Sequence, residues 1–137
     1  MNKHLTQLLI AIAVMSATSV ACAAELVVVV NPSNPATAMT AAQASQFFLG
    51  KSAMFTPVDL PENSPIRAEF YKKVADKDMS EVKTIWSKLV FTGKGTAPKE
   101  MHNNAEVKKA VAANPTGIGY IERSAVDSTV KVVTVLP

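Results

Sequence analysis

The chain contains very few of the residues that enzymes and metal proteins use for their chemistry. Its 137 residues include one cysteine, Cys22, and two histidines, of which only His102 lies beyond the N-terminal segment. A lone cysteine cannot form an internal disulfide, and one histidine among scattered carboxylates does not make a metal cluster. The nucleophile motif GxSxG and the phosphate-loop spacing GxxxxGK[ST] are both absent. The composition therefore argues against catalysis, and we predict neither a cofactor nor a metal.

The chain also lacks a large excess of positive or negative charge. The chain has 14 lysines and arginines against 11 aspartates and glutamates, a net charge of +3. If an N-terminal segment carrying Lys3 is removed, 13 cationic residues remain against 11, which leaves about +2. Because the basic residues are scattered singly, the sequence does not predict a nucleic-acid surface.

The first 24 residues are typical of a secretory signal peptide. A short basic start is followed by an apolar run over residues 5–14 and then by small residues. That run is too short to span a bilayer. We predict cleavage after Ala23 or Ala24, export to the periplasm, and a single domain over residues 25–137.

The alternative for this segment is lipidation of Cys22, which would anchor the protein to a membrane. Lipoprotein signals usually carry leucine three positions before the cysteine, and here that position is Ser19. Ordinary cleavage is the favoured interpretation.

The pattern of apolar residues beyond this segment predicts an α/β domain. Residues 26–30 form an unbroken branched apolar run, which is typical of a strand buried on both faces. Further strands are predicted over residues 55–60, 118–121 and 130–136. Helix-capping residues predict four helices, which begin after Thr40, Ser64, Asp78 and Asn103. This order of elements predicts a mixed sheet with helices packed on it.

The helix after Asp78 has the clearest apolar stripe. Its members recur at the i, i+3, i+4, i+7 and i+8 spacing of a core-facing surface. They are Val82, Ile85, Trp86, Leu89 and Val90. We therefore predict that Trp86 is buried.

Segments in consistent order resemble a known family. The first segment reads VVVVNPSNP and is followed by a predicted helix and then by FFLGK. The later segments read PVDLPENSPIRAEF, IWSKLVFTGKG and GIGYIERSAVDSTVKVV. Together they span most of residues 26–133 and resemble the periplasmic phosphate-binding proteins of ABC transporters, in particular small single-lobe relatives. The resemblance implies one lobe of that fold, a non-catalytic substrate-binding role, and a small oxyanion such as phosphate as ligand. Full members close two lobes over the anion, and this chain has the length of one.

The family holds its anion with a Ser-Gly-Thr signature at a helix start, where this sequence departs from the pattern. Ser64 is present, but Pro65 and Ile66 replace the glycine and threonine, and Pro65 has no N–H to donate. Leu60 stands where full members often carry a clamping arginine. Arg67 in the first helical turn is the candidate replacement. The alternative is a plain helix cap with a solvated arginine.

Two loops complete the candidate anion site. Residues 31–34 follow a buried strand, where side chains often line the ligand crevice, although a connecting turn would use the same residues. Residues 92–96 form a glycine loop with one cation, and helix termination at Gly93 is the alternative. The full candidate set is Asn31, Ser33, Asn34, Asn63, Ser64, Arg67, Thr92 and Lys94.

One lobe offers too few donors for tight binding. A charge-assisted hydrogen bond contributes roughly 1.5–3 kcal/mol, and association costs on the order of 4 kcal/mol or more. About three such bonds therefore leave binding near the millimolar range. We predict that a second copy of the chain or another exported protein supplies the missing surface. The alternative is an interaction module that kept the fold and lost the ligand.

Overall fold

Five strands and four α-helices make up the part of the chain that the structure, a computed structural model, describes, namely residues 25–136. The strands are β1 (Leu26–Val30), β2 (Thr56–Asp59), β3 (Lys99–Glu100), β4 (Gly117–Glu122) and β5 (Lys131–Val135). The helices are α1 (Ala41–Phe48), α2 (Pro65–Ala75), α3 (Met79–Phe91) and α4 (Asn104–Ala113). Arg123–Ala125 forms a single 3-10 turn. The predicted α/β class and mixed sheet are confirmed. The predicted signal peptide and Cys22 lie outside the described residues.

The strands form one sheet in the order β3-β2-β4-β1-β5. Strand β1 runs antiparallel to β4 and β5, whereas β2 runs parallel to β4 and β3. Ile118 of β4 is paired with both Val30 at the end of β1 and Pro57 near the start of β2. The carboxyl end of β1 therefore lies at the edge of the sheet where β2 begins.

Strand β1 is the centre of the core. All five of its side chains are fully buried, which confirms the expectation from its unbroken apolar run. Helix α4 approaches the sheet very closely at Gly119 of β4, where a Cβ would lie 2.7 Å from Cγ1 of Val107. Aromatic side chains join α2 to the sheet, with Phe70 of α2 stacked on Tyr120 of β4 at 3.8 Å between ring centroids. Apolar burial on both sides of the sheet thus supplies the stability of the domain.

Local sequence signals set the helix boundaries as predicted. Thr40 and Gln43 form a capping box at the start of α1. Gly50 follows α1 with a φ of 73°, a left-handed conformation that favours glycine, and a Cβ there would lie 2.5 Å from Cδ1 of Leu89. Asp78 and Asn103 accept hydrogen bonds from the third residues of α3 and α4.

The apolar stripe on α3 extends beyond the core, and this part of the prediction is wrong. Val82 and Trp86 are buried as predicted, but Val90 is 51% exposed. The helix lies against α2 and against the turn after α1, so only a narrow face is covered. Strand β3 was not predicted, because its two residues are charged and exposed and therefore carry no apolar pattern. Within residues 25–136, no helix is long and apolar enough to cross a membrane.

Candidate functional site

A buried carboxylate lies where β2 ends. Asp59 is 1% exposed, and its Oδ1 accepts hydrogen bonds from the Leu60 N–H at 2.9 Å and from the Tyr120 hydroxyl. Its Oδ2 accepts a hydrogen bond of 2.5 Å from the hydroxyl of Tyr71. Asp59 therefore connects β2 to α2 through Tyr71 and to β4 through Tyr120.

Arg67 lies beside this carboxylate, in the first turn of α2. Its side chain is 11% exposed, and its Nε lies 3.5 Å from Oδ1 of Asp59. Its Nη1 donates to the carbonyl oxygen of Leu60 at 2.8 Å and to Oε1 of Glu100 at 3.0 Å. Asp59 and Glu100 are register partners on β2 and β3, so Arg67 bridges two carboxylates on neighbouring strands. The solvated alternative for Arg67 is wrong, because the guanidinium points inward.

The surroundings shift the pKa values of these groups. Burial raises the pKa of the Asp59 carboxyl, and the nearby Arg67 guanidinium and the two tyrosine hydroxyls offset part of that effect. Burial and the Asp59 carboxylate raise the pKa of Tyr71 and of Tyr120, so both hydroxyls keep their protons and act as donors. Burial opposes the charge on Arg67, but Asp59, Tyr71, Glu100 and Tyr120 together outweigh burial and raise the pKa of Arg67. Arg67 is therefore a permanent cation held in place.

An open hollow of about 470 Å³ lies next to Arg67, between α3, the segment before α2 and the segment that leads into β3. Its apolar lining comes from Trp86, Val90, Phe91, Ala97 and Pro98. Its charged lining comes from Glu62, Arg67, Lys83 and Glu100. Glu62 and Lys83 form an ion pair of 3.2 Å, as Arg67 and Glu100 do at 3.0 Å. Each cation of the hollow thus already faces a carboxylate.

Few donors remain free at the start of α2. Ser64 caps the helix, with its Oγ accepting from the Arg67 N–H at 3.4 Å and its own N–H donating to Pro61 at 2.9 Å. Pro65 has no N–H, and the N–H of Ala68 donates to the carbonyl of Ser64. Within residues 25–136, the N–H of Ile66 is the first-turn donor without a hydrogen-bond partner. The backbone of this helix start therefore keeps one free N–H, and neither Ser64 nor Ile66 lines the hollow at Arg67.

The loop after β1 and Ser64 lie at opposite ends of the strands, because β1 and β2 are antiparallel. Asn31 is 7% exposed, and its Nδ2 donates to the carbonyls of Val111 and Ala112 at 3.1 and 3.0 Å. Its Oδ1 accepts from the N–H and the hydroxyl of Ser33. Asn34 donates to the carbonyl of Pro115 at 3.0 Å. Asn31 and Asn34 thus attach this loop to the end of α4 and the residues that follow it, whereas Ser33 hydrogen-bonds only within the loop.

Of the other candidates, Asn63 is exposed beside Ser64, whereas Thr92 and Lys94 are exposed in the turn after α3. The Thr92 hydroxyl donates to the carbonyl of Lys88 at 2.8 Å, and the Lys94 N–H donates to that of Leu89 at 2.9 Å. Neither Thr92 nor Lys94 lines the hollow at Arg67. Asn63, Ser64 and Arg67 are neighbours at the start of α2, but of these three only Arg67 lines the hollow, and the other predicted residues lie elsewhere.

Sequence reasoning missed Asp59, Tyr71, Tyr120 and Glu100. One signal was available, since Asp59 is a charged residue inside a predicted apolar strand, and a buried acid needs partners. Nothing local indicated which tyrosines supply them. Among the described residues, no group of three or more His, Cys, Asp or Glu side chains could hold a metal ion.

The comparisons with known proteins connect this fold to phosphate receptors. One similar structure is a candidate phosphate ABC transporter substrate-binding protein from Clostridium perfringens, solved with bound phosphate, with a TM-score of 0.66, 21% identity and 81% of this chain covered. A second is an ABC-type phosphate transport receptor from Vibrio cholerae, with a TM-score of 0.64, 20% identity and 81% of this chain covered. No protein-family model and no curated protein sequence matches the chain.

The described domain therefore has the fold of phosphate-binding proteins of the ABC-transporter type, which confirms the resemblance in the sequence. The chain covers 44% and 46% of the two structures, so it spans less than half of their length. The first of these is a substrate-binding protein and the second a transport receptor.

Proposed function

We propose that the protein is an exported, non-catalytic relative of the substrate-binding proteins of phosphate ABC transport. In this proposal it binds phosphate or another small oxyanion weakly at the start of α2, and a partner surface completes the site. Export to the periplasm follows from the predicted signal peptide.

The observation that carries the proposal is the position of Arg67. A buried, permanently charged guanidinium opens onto a hollow beside a helix start, in a fold that one neighbour uses to hold phosphate. A helix N-terminus favours negative charge, and an arginine adds directed hydrogen bonds to an oxyanion. Ser64 contributes by capping the helix, which keeps its first turn in place.

The same contacts support weak rather than tight binding. An incoming anion at Arg67 has to compete with Glu100, and Lys83 is already paired with Glu62. The backbone supplies one further donor, at Ile66. Micromolar binding needs about −8 kcal/mol, which one contested guanidinium and one N–H do not provide.

The alternative is a periplasmic interaction module that kept the fold and no longer binds a ligand. The paired state of both cations in the hollow favours this second function. Its surface would then be selected for protein contact rather than for an anion.

Phosphate titration of the purified protein by NMR, at constant ionic strength, separates the two functions. The proposal expects the amides of residues 63–67 to shift and to saturate only at millimolar phosphate. Arg67→Gln should abolish these shifts, whereas Arg123→Gln, which removes an exposed guanidinium paired with Glu25, should leave them unchanged. The absence of shifts at residues 63–67 in the wild type would favour the interaction module.

Mass spectrometry of the secreted product tests the export part of the proposal. We expect a mature chain that begins after Ala23 or Ala24. A chain that still begins at Met1 would refute export by this signal, and an acylated Cys22 would replace the free periplasmic form with a membrane-anchored one.

A further inference from the structure

The hollow at Arg67 is larger and more apolar than an inorganic anion needs. Its volume of about 470 Å³ lies within the range of about 300–1,000 Å³ that is usual for sites of small organic ligands. Trp86 and Phe91 of α3 form its apolar wall together with Ala97 and Pro98. Phosphate is much smaller than this volume and has no apolar surface to place against these side chains. A ligand that fills the hollow therefore has an apolar part.

The guanidinium of Arg67 keeps one amino group for such a ligand. Its Nη1 donates to the carbonyl oxygen of Leu60 and to Oε1 of Glu100. Its Nε is buried and lies 3.5 Å from Oδ1 of Asp59. Within residues 25–136, Nη2 has no hydrogen-bond partner, and it is open to solvent. An oxyanion can therefore accept a hydrogen bond from Nη2 while Glu100 keeps Nη1, although the charge of Glu100 still opposes the anion.

The charges around the hollow cancel one another. Its two cations, Arg67 and Lys83, are paired with its two carboxylates, Glu100 and Glu62. Such a neutral lining exerts little net attraction on an anion, so binding depends on direct contact. An inorganic anion gains only the contact with Nη2, whereas an anion that carries an apolar group also covers the ring of Phe91, which is 92% exposed.

We propose that the hollow binds a small organic oxyanion, namely a phosphonate or phosphate monoester with an apolar substituent. The anionic group accepts from Nη2 of Arg67, and the apolar group lies against Trp86, Phe91 and Pro98. This ligand class rests on the proposed function, because the anionic group uses the same guanidinium. The apolar group supplies the affinity that the guanidinium alone does not provide.

NMR titration of the protein, purified after expression of the full chain, with phenylphosphonate and with methylphosphonate tests this ligand class. The two compounds carry the same anionic group and are compared at a pH at which both are dianions. Phenylphosphonate should bind about tenfold more tightly or better, because its ring removes apolar surface of the hollow from water. Its shifts should include the indole N–H of Trp86, the single tryptophan of the chain, and the amides of residues 87–91.

Two further comparisons separate the contributions of the ring and of the anion. Phe91→Ser should remove most of the preference for phenylphosphonate, whereas Met54→Ser, at a side chain that is 73% exposed and does not line the hollow, should leave it unchanged. Because Phe91 is exposed, its replacement should not unfold the domain, and urea unfolding verifies this. Benzyl alcohol has the ring without the anionic group and should bind at least about tenfold more weakly than phenylphosphonate.

Equal affinity for the two phosphonates would overturn the proposal, as would a Phe91→Ser variant with the full preference or benzyl alcohol that binds as tightly as phenylphosphonate. Failure of the proposed function gives a different result. Phosphate shifts at residues 63–67 with no gain from the phenyl group would refute only the organic ligand. Phenylphosphonate binding without any phosphate shifts would refute inorganic phosphate and leave the organic ligand in place, and no binding of any of these anions would refute both.

Discussion

The hydroxyl of Tyr71 lies 2.5 Å from Oδ2 of Asp59 and donates to it, so a side chain of α2 holds the one carboxylate buried where β2 ends. Tyr120 donates to the other oxygen from β4. This arrangement fixes the start of α2, and with it Arg67, relative to the sheet. The position of Arg67 therefore depends on the buried hydrogen-bond network around Asp59.

Removing the buried carboxylate should be severely destabilising. Asp59→Ala leaves two tyrosine hydroxyls without an acceptor and Arg67 without its buried partner, and loss of one member of such a pair costs about 3–5 kcal/mol. Asp59→Asn should cost less, because it keeps an acceptor oxygen. Urea unfolding at neutral pH measures both variants, and an alanine variant as stable as the wild type would contradict the prediction.

The close contact between α4 and β4 should make Gly119 intolerant of a side chain. A Cβ there would lie 2.7 Å from Cγ1 of Val107 and 3.1 Å from Cγ2 of Val58. Gly119→Ala should therefore lower the free energy of unfolding by about 1–3 kcal/mol. Gly95→Ala is the matched control, since its Cβ would meet only ordinary contacts, the nearest at 3.4 Å. Equal effects of the two substitutions in urea unfolding would count against this packing.

Trp86 should carry much of the stability that α3 contributes. It is 9% exposed, and its Nε1 donates to the carbonyl of Phe48 at 2.9 Å. Trp86→Ala should cost about 3–5 kcal/mol, whereas Trp86→Phe keeps most of the apolar burial and should cost less. In the wild type, the fluorescence emission should be that of a buried indole and should shift to longer wavelength on unfolding. Emission typical of water-exposed indole in the folded protein would show that the helix is placed wrongly.

Asp127 should make stability depend on pH in the acid range. Hydrogen bonds from Lys108 and Thr129 lower its pKa from 3.8 to about 2. Because the folded state favours the ionised form, this contribution is complete above about pH 4 and is lost as the pH falls towards about 2. The difference in stability between the wild type and Asp127→Asn should therefore shrink over this interval in thermal unfolding. A difference that stays constant from pH 4 to 2 would contradict the assignment.

Glu100 should act as an internal competitor of the anion. Glu100→Gln removes the negative charge that competes with phosphate for Nη1 of Arg67, and a half-exposed ion pair of this kind is worth roughly 0.2–1 kcal/mol. The affinity for phosphate should therefore rise by up to about fivefold in the NMR titration. Glu62→Gln removes the same charge from the same hollow without touching Arg67, so a smaller gain is expected. An equal gain in both variants would mean that only the net charge of the hollow matters.

Much of the fold follows from local sequence signals. The apolar run of β1 and the helix cap at Thr40 each depend on residues within a few positions of one another, and both are confirmed. The α/β class and the resemblance to phosphate-binding proteins are confirmed as well. The position of β3 could not be predicted, because two exposed residues carry no apolar pattern and pair with β2 only through tertiary contact.

The candidate site was less predictable than the fold. Ser64 as a helix cap is a local property, and its prediction holds. Whether the loop after β1 lies near Ser64 depends on strand direction, and the antiparallel pairing of β1 with β4 places it at the opposite end of the strands. The sequence alone could not distinguish these arrangements. The predicted anion ligands, the domain boundary and export remain predictions.

The sequence by itself determined where helices begin, which strand is buried on both faces and which family the domain resembles, because caps and apolar periodicity act over a few neighbouring residues. Only the tertiary structure decided that Arg67 points inward, that Asp59 is held by Tyr120 from a position 61 residues away, and that Phe91 is left exposed. These outcomes depend on which elements pack together in space. A buried charge takes its partner from whatever element lies next to it, and an apolar side chain stays exposed when no element covers it.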